Sequence, residues 1–174
     1  MASKKTSMFT LTERLTITQG TTDTFATIDL GSYVDVGDRQ ALQIHSVDFI
    51  YQGATPSNGV PGALPSTHSA LVQVTDLNRG GLVFANDRAL VASAALYESA
   101  SGDLNMESDL YPDNFGKGSD DGRFVVNDQL YITGRCTGAP ASDINVTIRV
   151  NATIVTLGAK DFMAIAIQST AADN

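Results

Sequence analysis

The feature that most restricts what this chain can fold into is a strict two-residue alternation, longest in Ile144–Leu157. Ile144, Val146, Ile148, Val150, Ala152 and Ile154 share one parity, while Asn145, Thr147, Arg149, Asn151, Thr153 and Val155 share the other. A strand sends successive side chains to opposite faces, so this run has one apolar face and one mostly polar face. A helix would scatter the same apolar residues around its barrel and leave them half exposed. Arg123–Thr133 repeats the pattern with Phe124, Val126, Leu130 and Ile132 on one side, broken by Asp128. Gly138 and Pro140 within Thr137–Ser142 can turn the chain between the two runs. An antiparallel pair in the middle of a sandwich is the expectation.

The rest of the chain supplies its partners. In Met8–Thr18, Phe9, Leu11, Leu15 and Ile17 face one way, and Thr10, Thr12, Arg14, Thr16 and Thr18 the other. Threonine is β-branched and suits a pleated surface, so a threonine-lined face is a strand signature. After a turn at residues 19–23, Phe25–Leu30 returns as a second strand, and Gly31–Arg39 reads as a loop. In Gln40–Gln52 the parity changes: Leu42 and Ile44 share a face, but Val47, Phe49 and Tyr51 carry the opposite one. One extra residue near His45–Ser46 would bring both sets to the same side as a β-bulge; a strand buried on both faces fits as well. Gly53–Thr67 holds Pro56, Pro61 and Pro65 with three glycines and is a long connection without regular structure. Leu71–Leu77 alternates again, followed by a turn at Asn78–Gly81 before Leu82–Phe84. Asn86–Ser99 is expected to be helical, with Leu90, Val91, Ala94 and Tyr97 at helical spacing, Asn86 or Asp87 as a cap and Gly102 closing the end. Asp103–Asp121 is a second long, acidic connection. Asp161–Gln168 fits a closing strand or a short helix, the strand being favoured.

These runs give about eight strands, two long loops and one short helix, with no strand–helix alternation and no internal repeat. The fold class is all-β: an antiparallel two-sheet sandwich, with long connections favouring a jelly roll over a meander. At 174 residues one domain suffices, able to bury roughly 70% of its unfolded surface. Residues 8–168 are expected to form it, with 1–7 a flexible arm and 169–174 a polar tail.

Charged residues are 17% of the chain against roughly 25% in an average globular protein. A surface so poor in charge suits contacts between subunits, and a merely neutral, threonine-rich surface is the alternative. The net charge of −8 argues against a general nucleic-acid binder, whose affinity comes from clustered Lys and Arg. Lys4 and Lys5 form the one basic cluster, and a solvated tail explains them as well as phosphate contact does. Neither a secretory leader nor a membrane span is expected, so synthesis in a cytoplasm follows. Asn145-Val-Thr147 and Asn151-Ala-Thr153 match the glycosylation pattern but fall inside the predicted strand.

Catalytic chemistry has little to draw on. Cys136, the single cysteine, and His45 or His68 form the one assemblable nucleophile–base set, and no spacing predicts their contact. A small core thiol and ordinary histidines are the simpler reading. No nucleophile elbow, zinc-protease motif or phosphate loop is present. Asp109, Asp113, Asp120 and Asp121 share one glycine-containing loop, a candidate calcium site without helix–loop–helix spacing; a solvated acidic loop accounts for it too. No other cofactor is expected. Sugar binding would use exposed aromatics; tryptophan is absent, leaving Tyr33, Tyr51, Tyr97, Tyr111 and Tyr131.

In strand number, long loops, low charge and polar arm, residues Met8–Gln168 resemble the single jelly-roll coat proteins of icosahedral virus shells. The resemblance implies a non-enzymatic structural subunit found in the virion, self-assembling through sandwich edges, loops and termini. It implies an inner-surface arm at Met1–Ser7, and contacts or outer-face roles for Gly53–Thr67 and Asp103–Asp121. Many such coats carry a strongly basic arm; here only Lys4 and Lys5 stand there, so partners would be copies of the chain or other coat proteins more than nucleic acid. A β-sandwich binding module, adhesin or carbohydrate-binding, is the alternative.

Overall fold

The computed structural model describes residues 3–4, 6–18, 22–57, 59–60, 63–64, 67–108 and 122–170. Ten strands and one helix follow in order: β1 Ser3–Lys4, β2 Phe9–Ile17, β3 Thr24–Asp29, β4 Gln40–Gln52, β5 Ser69–Thr75, β6 Leu90–Glu98, β7 Leu104–Ser108, β8 Arg123–Val125, β9 Gln129–Cys136, β10 Ile144–Thr156 and α1 Ala159–Thr170. Sheet A holds β1, β2, β10, β4 and β8, with β1 and β2 both pairing with β10; sheet B runs β3-β9-β5-β6-β7.

The pairing is nested. β2 pairs with β10, β3 with β9, β4 with β8 and β5 with β6, all antiparallel. Outermost strands meet outermost and innermost meet innermost, as in one long ribbon. β10 with β4, and β9 with β5, then roll that ribbon into two facing sheets. This is the jelly roll, an arrangement that buries one face of every strand against the opposite sheet.

Alternation decides which face that is. Leu15, Ile17, Leu42, Ile44, Ile144, Val146, Ile148 and Val150 point inward from sheet A and meet Ile28, Val72, Val74, Leu130 and Ile132 from sheet B. Gly134 faces the opposite sheet closely: a Cβ there would lie 2.3 Å from Cδ2 of Leu15, so a larger residue would have to displace the core. In β4 the bulge reading is right. The register with β10 runs from Asn151↔Ser46 to Ala152↔Ile44, so His45 is the extra residue. The insertion brings Leu42, Ile44 and Phe49 into one core. Beside it, Gly122 holds φ +113, and a Cβ there would lie 2.3 Å from the Ile44 carbonyl oxygen. A bulge that pushes a carbonyl outward ends the ladder, and β8 pairs with β4 over Leu42–Ile44 alone.

Several expectations are corrected. Arg123–Thr133 is two strands in different sheets, β8 and β9, and β9 does not pair with β10. The corner falls at Asn127–Asp128, where the amide of Asn127 donates to the Asp76 carbonyl and the Asp128 carbonyl accepts from the Leu30 amide. Asn86–Ser99 contains strand β6. It reads as helical because it is apolar on both faces, and both are buried: Ala92, Ala94 and Leu96 in the core, Ser93 and Ala95 on the other side. The helix is instead α1, covering Asp161–Gln168, where Phe162, Ile165 and Ala166 at i, i+3, i+4 pack on sheet A. Leu82–Phe84 is not a strand, and β7 occupies the start of the acidic connection. At the N-terminus, Ser3–Lys4 pairs with Thr156–Val155 instead of standing free, and α1 extends to Thr170, into the expected tail. In the proline-rich connection Val60, Ala63 and Leu64 join the core.

Candidate interaction surfaces

The proposed nucleophile set is not activated. Cys136 lies fully buried in the core, and burial pushes its thiol up to about 11, away from the thiolate that a nucleophile requires. Burial, with a smaller contribution from Cys136, likewise raises the Tyr51 hydroxyl above its ordinary range; that hydroxyl donates to the Ala70 carbonyl at 3.4 Å. His45 belongs to the other sheet, its Nε2 3.0 Å from Oγ1 of Thr153. The His68 ring lies against Gly138. Lys4 lies in β1 opposite Val155. Lys5, Asp109, Asp113, Asp120 and Asp121 lie outside the described residues. Among the described residues no group of three or more His, Cys, Asp or Glu could hold a metal ion, and no helix is long and apolar enough to cross a membrane.

What the fold does build is two contrasting outer faces. On sheet B, Gln73, Thr75, Ser93 and Thr133 point away from the core yet are at most 5% exposed. They are covered by the chain between β5 and β6, residues 76–89, which straps back across the sheet. Gln73 pins it with two reciprocal hydrogen bonds: its amide donates to the Val83 carbonyl at 2.9 Å, and the Val83 amide donates to its oxygen at 2.8 Å. Farther along, Gly81 comes up against Asp23, just before β3. The base of the strap is fastened by Arg123, which donates to the carbonyls of Leu90 and Arg88 and lies 3.5 Å from Asp76. Burial raises the Asp76 carboxyl despite the opposing pull of Arg123. Arg79 pairs with Asp87 at 2.9 Å, and Asp87 also accepts from the Ala89 amide, a local turn role in place of the expected helix cap. Phe84, at 84% exposed, projects from the strap.

Among the described residues, sheet A is covered at one end only. There α1 seats Phe162 over Ala41, Val155, Leu157 and Val126, with Phe124 alongside. The remainder of the outer face is four cross-strand rows: Thr16–Asn145–Gln52, Arg14–Thr147–Ile50, Thr12–Arg149–Asp48 and Thr10–Asn151–Ser46. None of these side chains is buried. Hydrogen bonds tie the end rows across the strands. Thr10 donates to Asn151 at 2.7 Å and Asn151 to Ser46 at 2.9 Å; Thr16 donates to Asn145 at 2.8 Å and Asn145 to the Gly53 carbonyl at 2.9 Å. The face is thus a cross-linked polar lattice, with Arg14, Arg149 and Asp48 as its charged members. Sequence reading identified its threonines and missed which parts of the outer faces are covered, because the covering depends on where the strap and helix go; on sheet B, Phe25 at 58% and Tyr97 at 42% also stay exposed.

No protein-family model matches this chain, and no curated protein matches it. Its structure resembles capsid proteins over most of its length. Merkel cell polyomavirus VP1, as an unassembled pentamer, is similar with a TM-score of 0.44 and 6% identity, over 90% of this chain and 98% of that one. KI polyomavirus VP1, also an unassembled pentamer, gives 0.46 and 11% identity, over 91% and 98%. VP1 of trichodysplasia spinulosa-associated polyomavirus, in complex with 3'-sialyllactose, gives 0.49 and 8% identity, over 88% and 98%. At identities this low the jelly roll is fixed by the strand order itself.

Proposed function

We propose that this protein is a non-enzymatic structural subunit that assembles with copies of itself into the icosahedral shell of a virion. The observation that carries the reading is the open part of sheet A's outer face, a four-row lattice of twelve side chains, eight of them threonine, asparagine, glutamine or serine. Hydroxyl and amide groups that already bond one another across the strands leave fewer polar groups to satisfy when a partner covers the face. The rigid sandwich beneath it suits a tile, since contacts that bury roughly 800 Å² per partner need surfaces already shaped for one another. The unactivated Cys136 thiol favours a structural role over a catalytic one.

Size-exclusion chromatography with light scattering, followed by negative-stain microscopy of the purified chain, tests the reading. Rings or closed particles are expected; a strict monomer at high concentration overturns it.

A further inference from the structure

We infer that the open half of sheet A's outer face is the seat for helix α1 of a second copy, each helix keeping its place on its own sheet while resting on the partner's, so that a two-helix layer lies between the two sheets. This rests on the subunit reading above, of which it names one contact.

The dimensions agree. A helix of 12 residues is about 18 Å long and about 10 Å across. The open rows extend along residues 145–151 of β10, about 20 Å, and across three strands, about 14 Å with side chains. The outer face is therefore two helix-sized footprints, one filled by the chain's own α1 and one open. A two-fold axis between copies would fill both on each sheet.

The surfaces agree as well. Phe162, Ile165 and Ala166 hold α1 to its own sheet. Met163, 58% exposed, lies about 100° around the helix from Phe162, with Ile167, 60% exposed, one turn on along the same flank. In a two-helix layer that flank meets the partner's helix and sheet. On the seat, Ile50 is 40% exposed at the β4 side of the lattice, beside Thr147 and between Asp48 and Gln52. The last turn of α1 carries no basic residue to offset the negative end of its helix dipole. The seat offers Arg14 and Arg149 in adjoining rows, on a chain of net charge −8. Seat and helix together present roughly 450 Å² of projected area per copy, and side-chain corrugation lifts the accessible area toward the roughly 800 Å² per partner of a stable dimer.

The test uses the full chain. Met163→Glu on the helix and Ile50→Glu on the sheet should each weaken self-association at least about tenfold, read as a dissociation constant by sedimentation, with circular dichroism unchanged. Phe84→Ser, on the opposite sheet, should leave this contact intact. Thr147→Cys combined with Met163→Cys supplies a readout that does not depend on weakened binding. Thr147 is about 20 Å along the strand from the part of the face its own helix covers. A disulfide between the two positions must then join two chains, and native Cys136 is buried. Covalent dimers under mild oxidation are expected. If the wild type associates while the glutamate variants associate equally well and no cross-link forms, the helix contact is wrong and the subunit reading stands. A wild type that stays monomeric at every concentration overturns both.

Discussion

The outer faces of the two sheets are made of the same kinds of residue and live in different environments. Gln73, Thr75, Ser93 and Thr133 on sheet B match Thr12, Thr147, Asn151 and Ser46 on sheet A in polarity and size. The first set is buried beneath residues 76–89, and the second is open. Polar side chains on a strand therefore do not by themselves mark solvent: Gln73 and Thr75 bond to the strap, and the Ser93 hydroxyl is buried without a hydrogen-bond partner among the described residues. For sheet B the partner is the chain's own backbone, held by Gln73 and Val83. Among the described residues, half of sheet A has no such cover. The strap covers the middle of sheet B's outer face, and the helix covers one end of sheet A's.

The contrast can be broken in graded steps. The largest effect is expected from Phe162→Ala, which removes the anchor of α1 and should cost about 3 kcal/mol. Urea unfolding measures the loss, and hydrogen exchange should show α1 releasing before the sheets do. A variant as stable as the wild type would mean that both halves of sheet A are equally open. Gln73→Ala leaves the Val83 amide and carbonyl without their partner under the strap and should cost about 2 kcal/mol, with faster exchange confined to residues 77–88. Uniform exchange across the molecule would show that the strap is not a separate layer.

A smaller and pH-dependent effect should come from Asp76. Its folded-state pKa lies above the ordinary 3.8, so the stability it contributes is full below that value and is lost as pH rises through the raised one. Asp76→Asn removes this titration, so the variant's stability should fall less than the wild type's as pH rises from about 4. Parallel urea midpoints for the two proteins from acid to neutral pH would show that the base of the strap is wetter than its burial indicates. The smallest effect belongs to the open lattice: Thr12→Ala should change folding stability by no more than about 0.5 kcal/mol. A larger loss would show that the lattice supports the monomer and is not reserved for contact.

How much of this was legible from sequence depended on how many faces each segment buries. Strand β2, and β4 and β10 away from the end that α1 covers, bury one face, and their alternation could be read directly; an extra residue near His45–Ser46 was one of two readings of β4. β6 and α1 are apolar on both parities, and periodicity assigned each to the wrong type. Neighbours decided them: β6 lies between two strands and under the strap, whereas α1 has a single surface to rest on. Asp128 signalled the corner between β8 and β9 but was taken as a blemish within one strand. Of the candidate site, the threonine parity of β2 and β10 was plain. Its exposure was not, because Gln73 and Ser93 look no different in sequence and are covered only by segments that have to travel to reach them.

The single additional residue in β4 has a consequence for how this chain can vary. It acts as a frameshift in space: on either side of His45, odd- and even-numbered positions exchange roles. Removing it would leave composition, charge and nearly every side chain as they are, yet turn Val47, Phe49 and Tyr51 out to water and Asp48 and Ile50 in toward the core. The strand should thus accept many changes of residue and almost none of length. Variation in length is left to the connections between strands.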